Sequence, residues 1–227
     1  MARNARESEA RSVMKKLLML GGSEHCGSVL DCVLAAGIYE EIGIVASNPN
    51  KTVGGIAVVG HYDDLPALFE AGWTEAYIAI GSVGYVAKRR ELYDTLKGIG
   101  FCLATVIDPS AAVAKDAQIE EGAWIGKHAV VNNGCRIGTC AMINSGSVIE
   151  HGCTIGAFAH VSPGATLCGQ VRVGDDTHVG AGSTVIQGVH IGSGAMIGAG
   201  SVVVRHIPDG VKAYGVPCRV VSTWSCT

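Results

Sequence analysis

Charge is scarce in this chain: Lys, Arg, Asp and Glu make up 16% of its 227 residues and leave a net charge of −3. There is no basic cluster of the kind that grips a phosphate backbone, so nucleic acid is not an expected partner. Long apolar runs are missing as well. Although 48% of the residues are hydrophobic, glycines and polar residues break every run before it reaches the length of a membrane span. The opening stretch, MARNARESEARSVMKK, is charged and lacks the apolar centre of a secretory signal, so a cytoplasmic location is expected. The nine cysteines contain no Cys-x-x-Cys pair, and Cys135 and Cys153 fall where the repeat described next takes a small apolar filler. Reduced structural thiols are expected, not a zinc site or a disulfide framework.

What is present is a period. Every sixth residue from Ile107 to Val203 is Val, Ile or Leu, seventeen positions without a skip. Four residues after each of the first sixteen stands Ala, Ser, Thr, Cys or Val. A helix (period 3.6) cannot keep such a stripe on one face, and an ordinary strand (period 2) gives no reason for six. A chain that turns a corner after each short strand does, burying one aliphatic residue per face. The expected fold is a parallel β-helix whose rungs lie about 4.8 Å apart.

The change of character near residue 107 divides the chain. Residues 1–15 read as an extension, 16–106 as a small α/β domain, 107–221 as the coil and 222–227 as a tail. In the α/β part, strand-like KLLMLGG (16–22), IGIVAS (42–47), EAYIAIG (75–81) and FCLATVI (101–107) alternate with helix-like segments at 25–37, 63–72 and 85–100. That alternation predicts a Rossmann-like parallel sheet with helices on its faces and ligands at the carboxyl ends of its strands.

Gly21-Gly22-Ser23-Glu24-His25 lies at such an end, where free N–H groups and a helix dipole favour phosphate. It is not the dinucleotide motif G-x-G-x-x-G, so a redox cofactor is not indicated. A tight turn alone also explains the glycines. Gly81-Ser82 ends another strand and is placed to line the same crevice. Arg89 and Arg90 follow as cations for a phosphate or as an exposed helix face.

With three sides per coil, residues eighteen apart stack. His160 and His178 therefore stack, His151 leaves the wall near a corner, and Asn144 precedes it by seven residues. Imidazole accepts a proton near neutrality from an attacking amine or hydroxyl; simple solvation at turns is the alternative for His128, His151, His178, His190 and His206. Two stacked histidines without a third ligand leave no metal expected. After the last coil, Pro208 and Gly210 break the pattern before Gly215-Val216-Pro217-Cys218-Arg219.

The coil repeat, the stretch from Asn144 through His151 to His160-Val-Ser-Pro-Gly, the Gly-x-Pro-Cys-Arg ending and the Gly-Gly-Ser-Glu-His25 loop together resemble the hexapeptide-repeat nucleotide-sugar acetyltransferases of the PglD and NeuD type. The resemblance spans about residues 16 to 221. It implies a left-handed β-helix, a homotrimer, and acetyl-CoA lying between adjacent coils. It implies transfer of acetyl to a UDP-amino sugar, a UDP-4-amino-4,6-dideoxy-hexose of surface-glycan biosynthesis, by direct amine attack on the thioester. The alternative it leaves is O-acetylation of the sialic acid type. By resemblance His151 is the general base and Asn144 places the amine or the base. His160, Gly169, Ala181 and Ala199 contact acetyl-CoA, and Ser23, Glu24, His25 and Gly81 hold the nucleotide-sugar. Where the family carries an acidic residue after the base and an acidic pair after the second strand, this chain has Gly152 and Val45-Ala46-Ser47-Asn48. Glu150 precedes the base and is the candidate to substitute for that acidic residue, although neighbours in an extended chain point to opposite faces. Two rivals from other classes remain: a metal-dependent β-helix enzyme of the carbonic anhydrase kind needs a third histidine, and a non-catalytic nucleotide-sugar-binding module would not bind acetyl-CoA. A sugar nucleotidyltransferase is set aside because its Gly-rich signature is absent.

Overall fold

The computed structural model describes residues 15–224. The proposed extension, apart from Lys15, and the last three residues of the proposed tail lie outside them.

The front half is the expected parallel sheet. Strand β1 (Lys16–Leu20) leads into helix α1 (Glu24–Ala36), then β2 (Glu41–Val45), β3 (Thr52–Val53), β4 (Ile56–Gly60), α2 (Leu65–Glu70), β5 (Glu75–Ile78), α3 (Ala87–Ile99) and β6 (Cys102–Leu103). The order across the sheet is β3-β4-β2-β1-β5-β6, parallel except for β3. β1 is buried along Leu17–Leu20 because it is central and covered on both faces. α1 buries Cys26, Val29, Leu30 and Val33, the i, i+3, i+4, i+7 spacing of an amphipathic helix, and stops at Gly37 in the left-handed region (φ 63°). The sequence reading has no counterpart for β3 and β4. They form a hairpin about Gly54-Gly55, both at positive φ, that extends the sheet beyond β2.

The back half is a left-handed parallel β-helix of two-residue strands, each hydrogen-bonded to the strand eighteen residues on. Its first face runs from Val106–Ile107 through Trp124–Ile125, Met142–Ile143, His160–Val161 and His178–Val179 to Met196–Ile197. The second runs from Ala112–Val113 to Val202–Val203, and the third from Gln118–Ile119 to His190–Ile191. The aliphatic stripe points inward and is buried from Ile125 onward, whereas Ile107 at the open end of the coil is 38% exposed. The small residues fill the corners inside. Where they are hydroxyls, a backbone carbonyl takes the proton, as from Thr177 Oγ1 to Gly192 O (2.6 Å) and Ser201 Oγ to Gly198 O (2.6 Å). A hairpin of Val211–Gly215 and Cys218–Thr223 closes the coil, its first strand pairing with Met196–Ile197, where the sequence suggests only a sharp exit.

Stacking leaves no room for side chains at some corners. A Cβ at Gly174 would lie 2.5 Å from the Ser193 nitrogen in the next coil. Gly174→Ala is expected to lower stability by roughly 1–3 kcal/mol, read as a shifted urea midpoint; an unmoved midpoint would contradict this stacking.

The two halves share their cores. On one side of the sheet, α1 and Tyr77 pack with Trp124 and Met142 of the first face. On the other, Leu92 and Leu96 of α3 pack with Cys140 and Phe158 at the corner between the third and first faces. The loop that follows β5 is thereby brought onto His160, through the Ser82 carbonyl. Among the described residues, no helix is long and apolar enough to cross a membrane.

Candidate active site

Two clusters emerge, and one chain keeps them apart. The first lies under the carboxyl ends of β1 and β5. His160 is 9% exposed on the first face, and its Nδ1–H donates to the Ser82 carbonyl (2.9 Å). That bond leaves Nε2 as an acceptor for the Asn144 amide Nδ2–H (3.2 Å), and the Asn144 carbonyl oxygen in turn accepts the Ser145 N–H (2.8 Å). The His178 ring lies edge-on at 4.9 Å, with Ser162 Oγ at 3.2 Å from its Nε2. Burial, with the neighbouring His178 and Arg89 adding to it, drives the His160 imidazolium out and lowers its pKa to about 3; burial lowers that of His178 to about 4. Both imidazoles are neutral at pH 7. His178 is therefore a core residue here, not a solvated one.

The glycine loop contributes less openly than the sequence suggests. Ser23 caps α1 from an extended conformation with no side-chain bond, and Glu24 is exposed in the first turn. His25 turns inward. Its ring meets Trp124 edge-on at 5.1 Å and fills the space above Gly81, where a Cβ would lie 3.2 Å from its Cγ. Burial and then Arg89 lower its pKa to about 4, and its buried Nε2 has no partner among the described residues. A cleft of about 340 Å³ opens beside it between α1 and the coil, lined by Glu24, Ser28, Asp31, Trp124, Lys127 and Ser145. Arg89 and Arg90 are neither a phosphate site nor an exposed face. Arg89 is 1% exposed and donates to the Cys140 carbonyl (2.5 Å), and Arg90 grips Asp176 through both carboxylate oxygens (2.8 and 2.9 Å).

The second cluster surrounds His151, at the corner between the second and third faces. Its side chain is 51% exposed, and its ring lies over Gly169 one coil on. A Cβ at Gly169 would come within 2.5 Å of the ring Nε2, so the glycine is the floor on which the imidazole rests. Glu150 reaches it after all. Its Oε2 stands 3.4 Å from Nδ1 and also accepts the His151 backbone N–H (3.2 Å), because the chain turns a corner here and alternation does not apply. A groove of about 580 Å³ runs beside this corner, lined by Gly152, Gln170, Arg172, Gly188, His190 and His206. Asn144 lies at a different corner and partners His160. Ala181 and Ala199, small and exposed, stack eighteen residues apart at that same first-to-second corner. Among the described residues, no group of three or more His, Cys, Asp and Glu side chains is placed to hold a metal ion. Glu150, the candidate substitute named from the sequence, is the partner of His151, whereas Ser82 as the partner of His160 was missed; an 81–82 loop at a strand end was the only signal for it.

Known proteins match in both halves of the chain. Residues 16–96 match the family described as PglD N-terminal domain, residues 116–151 the bacterial transferase hexapeptide, and residues 170–205 the hexapeptide repeat of succinyl-transferase. PerB from Caulobacter crescentus, solved with CoA and GDP-perosamine, is 36% identical, with a TM-score of 0.87 over 92% of this chain and 98% of that one. A histidine-to-asparagine variant of that perosamine N-acetyltransferase is similar at 35% identity, with the same coverage and TM-score. The acetyltransferase domain of PglB from Neisseria gonorrhoeae, solved with acetyl coenzyme A, is 31% identical, with a TM-score of 0.86 over 91% of this chain and 99% of that one. No curated protein matches in sequence.

Proposed function

The chain belongs to the PglD-like sugar N-acetyltransferases, and on that premise we propose that it carries acetyl from acetyl-CoA to the amine of a nucleotide-linked amino sugar with His151 as general base. The observation that carries this reading is the His151 corner. A half-exposed imidazole lies on a glycine floor, with a carboxylate on its Nδ1 side and an open groove beside it. Glu150 favours the Nδ1–H tautomer and steadies the imidazolium formed when Nε2 takes the amine proton.

Acetyl-CoA supplies an activated acyl group. The small side chains of Ala181 and Ala199, the backbone at Gly169 and the neutral His160 are the groups that would hold it. As the amine nitrogen bonds to the acyl carbon, its proton passes to His151, the carbon–sulfur bond breaks, and the thiolate leaves to be protonated. Ser23, Glu24, His25 and Gly81 take the nucleotide-sugar at the strand ends. His25 serves there as packing behind the loop, since its ring faces the coil.

His151 and the Asn144–His160 pair occupy different corners of one prism, so a site using both draws them from neighbouring copies. A homotrimer satisfies this, and the half-buried Val130, Val148, Thr166, Thr184 and Val202 of the second face offer an uncharged surface for it. The acceptor is a 4-amino-4,6-dideoxy-hexose, carried on UDP, made in the cytoplasm for a surface glycan. The relative from Caulobacter was solved with a GDP-sugar, and Ala46-Ser47 stands where the resemblance leads one to expect acidic residues, so the nucleotide is tested directly. Thiol release from acetyl-CoA is measured with UDP- and GDP-linked 4-amino and 4-hydroxy sugars. Turnover on a UDP-amino sugar is expected; turnover on hydroxyl acceptors alone would replace this reading with O-acetylation, and preference for GDP would replace the nucleotide.

A further inference from the structure

From Gly122 to Gly200 the coil turns each corner through one residue in the left-handed region, and glycine usually stands there. One column breaks this habit. Between Gly122 and Gly194 it carries Cys140 (φ 54°), Phe158 (φ 57°) and Asp176 (φ 60°), three consecutive corners eighteen residues apart. A side chain in that conformation carries a steric penalty, mild for Asp and larger for Phe. Elsewhere among the described residues, His128 and Gln170 are the isolated cases.

All three exceptions meet the first turns of α3. The Cys140 carbonyl takes the bond from Arg89. The Phe158 ring is buried, with the Arg90 guanidinium 4.3 Å from its centroid and Tyr93 edge-on at 5.6 Å. Asp176 receives Arg90 in a two-bond fork, the geometry that fixes direction as well as distance. α3 is entered from residues 81–86, the same loop whose Ser82 carbonyl holds His160. Gly84 in that loop packs against Met196 and Trp224.

We propose that Arg90 and Asp176, seated on Phe158, form a positioning pair for acetyl transfer: they fix α3 and the 81–86 loop on the coil, so that the Ser82 carbonyl sets the tautomer and aim of His160. The inference rests on the reading in which His160 meets the acyl group. It explains why strain is accepted at three consecutive corners where the sheet domain docks, whereas His128 and Gln170 are single cases. A pair serving stability alone would gain from glycine in this column, as the corners above and below have.

Asp176→Gly separates the two roles, because it removes the fork and relieves the backbone together. In the full chain, hydrogen exchange of a peptide covering residues 81–86 is expected to accelerate at least tenfold. The thermal midpoint should not fall. kcat should drop about five- to twentyfold, with Asp176→Asn, which keeps one acceptor and tolerates the conformation, lying between. Unchanged loop exchange would overturn the proposal, and so would a midpoint that falls in step with faster exchange throughout the coil. If the wild-type chain transfers no acetyl group, that failure belongs to the functional reading, and loop exchange alone then decides whether the pair positions the loop.

Discussion

Replacing His151 with alanine is expected to lower kcat by about 10²–10⁴-fold, the usual worth of a positioned general base. Binding of acetyl-CoA should survive, since nothing in the loss of this ring disturbs His160 or the corner of Ala181 and Ala199. Gly169→Ala should reproduce much of the defect without touching the histidine, because its methyl group would occupy the place of the ring. Glu150→Gln should cost no more than about fivefold, because half-exposed ion pairs contribute only about 0.2–1 kcal/mol. Initial-rate assays on the three variants check the set. A His151→Ala enzyme within threefold of wild type would remove this residue as the base, and full activity in Gly169→Ala would show that the ring need not lie where it does.

Acid is expected to begin weakening the fold well above the range in which its carboxylates titrate. His25 and His178 are held near pKa 4 and His160 near 3 by burial, whereas in the unfolded chain each returns to about 6.5. The sign follows from proton uptake. Between pH 6.5 and 4 the unfolded state binds protons that the folded state refuses, so stability falls as pH falls, and at pH 7 and above these groups contribute no slope. One group taking up a proton across one pH unit is worth about 1.4 kcal/mol. Three of them together weaken the fold by on the order of 5 kcal/mol by pH 4, even after allowance for relaxation around the rings. Urea midpoints at pH 7, 6 and 5 test this. His178→Asn, which keeps a partner for Ser162, should flatten the slope by about one proton. A midpoint flat from pH 7 to 5 would mean that the folded chain accepts these protons.

The coil was legible because its pattern is arithmetic: a stripe of period six states the corner, the inward residue and the stacking partner together. His160 and His178 were paired on that basis, and they pair. The same arithmetic shows why Asn144 was placed less well. Seven residues separate it from His151 along the chain, but in an eighteen-residue coil seven residues mean another face. Sixteen mean almost directly above, which is where His160 lies. For Glu150 the alternation of an extended chain argued against contact with His151, but alternation holds within a strand and these strands are two residues long. Arg89 and Arg90 were opaque for a different cause: a charged pair on a helix reads as solvated until the partner surface is known, and Cys140, Phe158 and Asp176 are 51 to 86 residues away in sequence. The hairpin about Gly54-Gly55 was within reach, since two glycines between TV and IAVV are a turn signal.

A coil of constant cross-section is also a counter. Each six residues advance the chain by one face, and each eighteen return it to the same face one rung higher. An insertion or deletion of six therefore keeps every inward residue inward, yet rotates all that follows by a third of a revolution. Placed between His151 and His160, such a change would leave the aliphatic core intact while turning His160 away from Ser82 and toward an open face. Only whole turns are silent. The length of this coil is free to drift in steps of eighteen, while the angle between its two histidine clusters is held by counting.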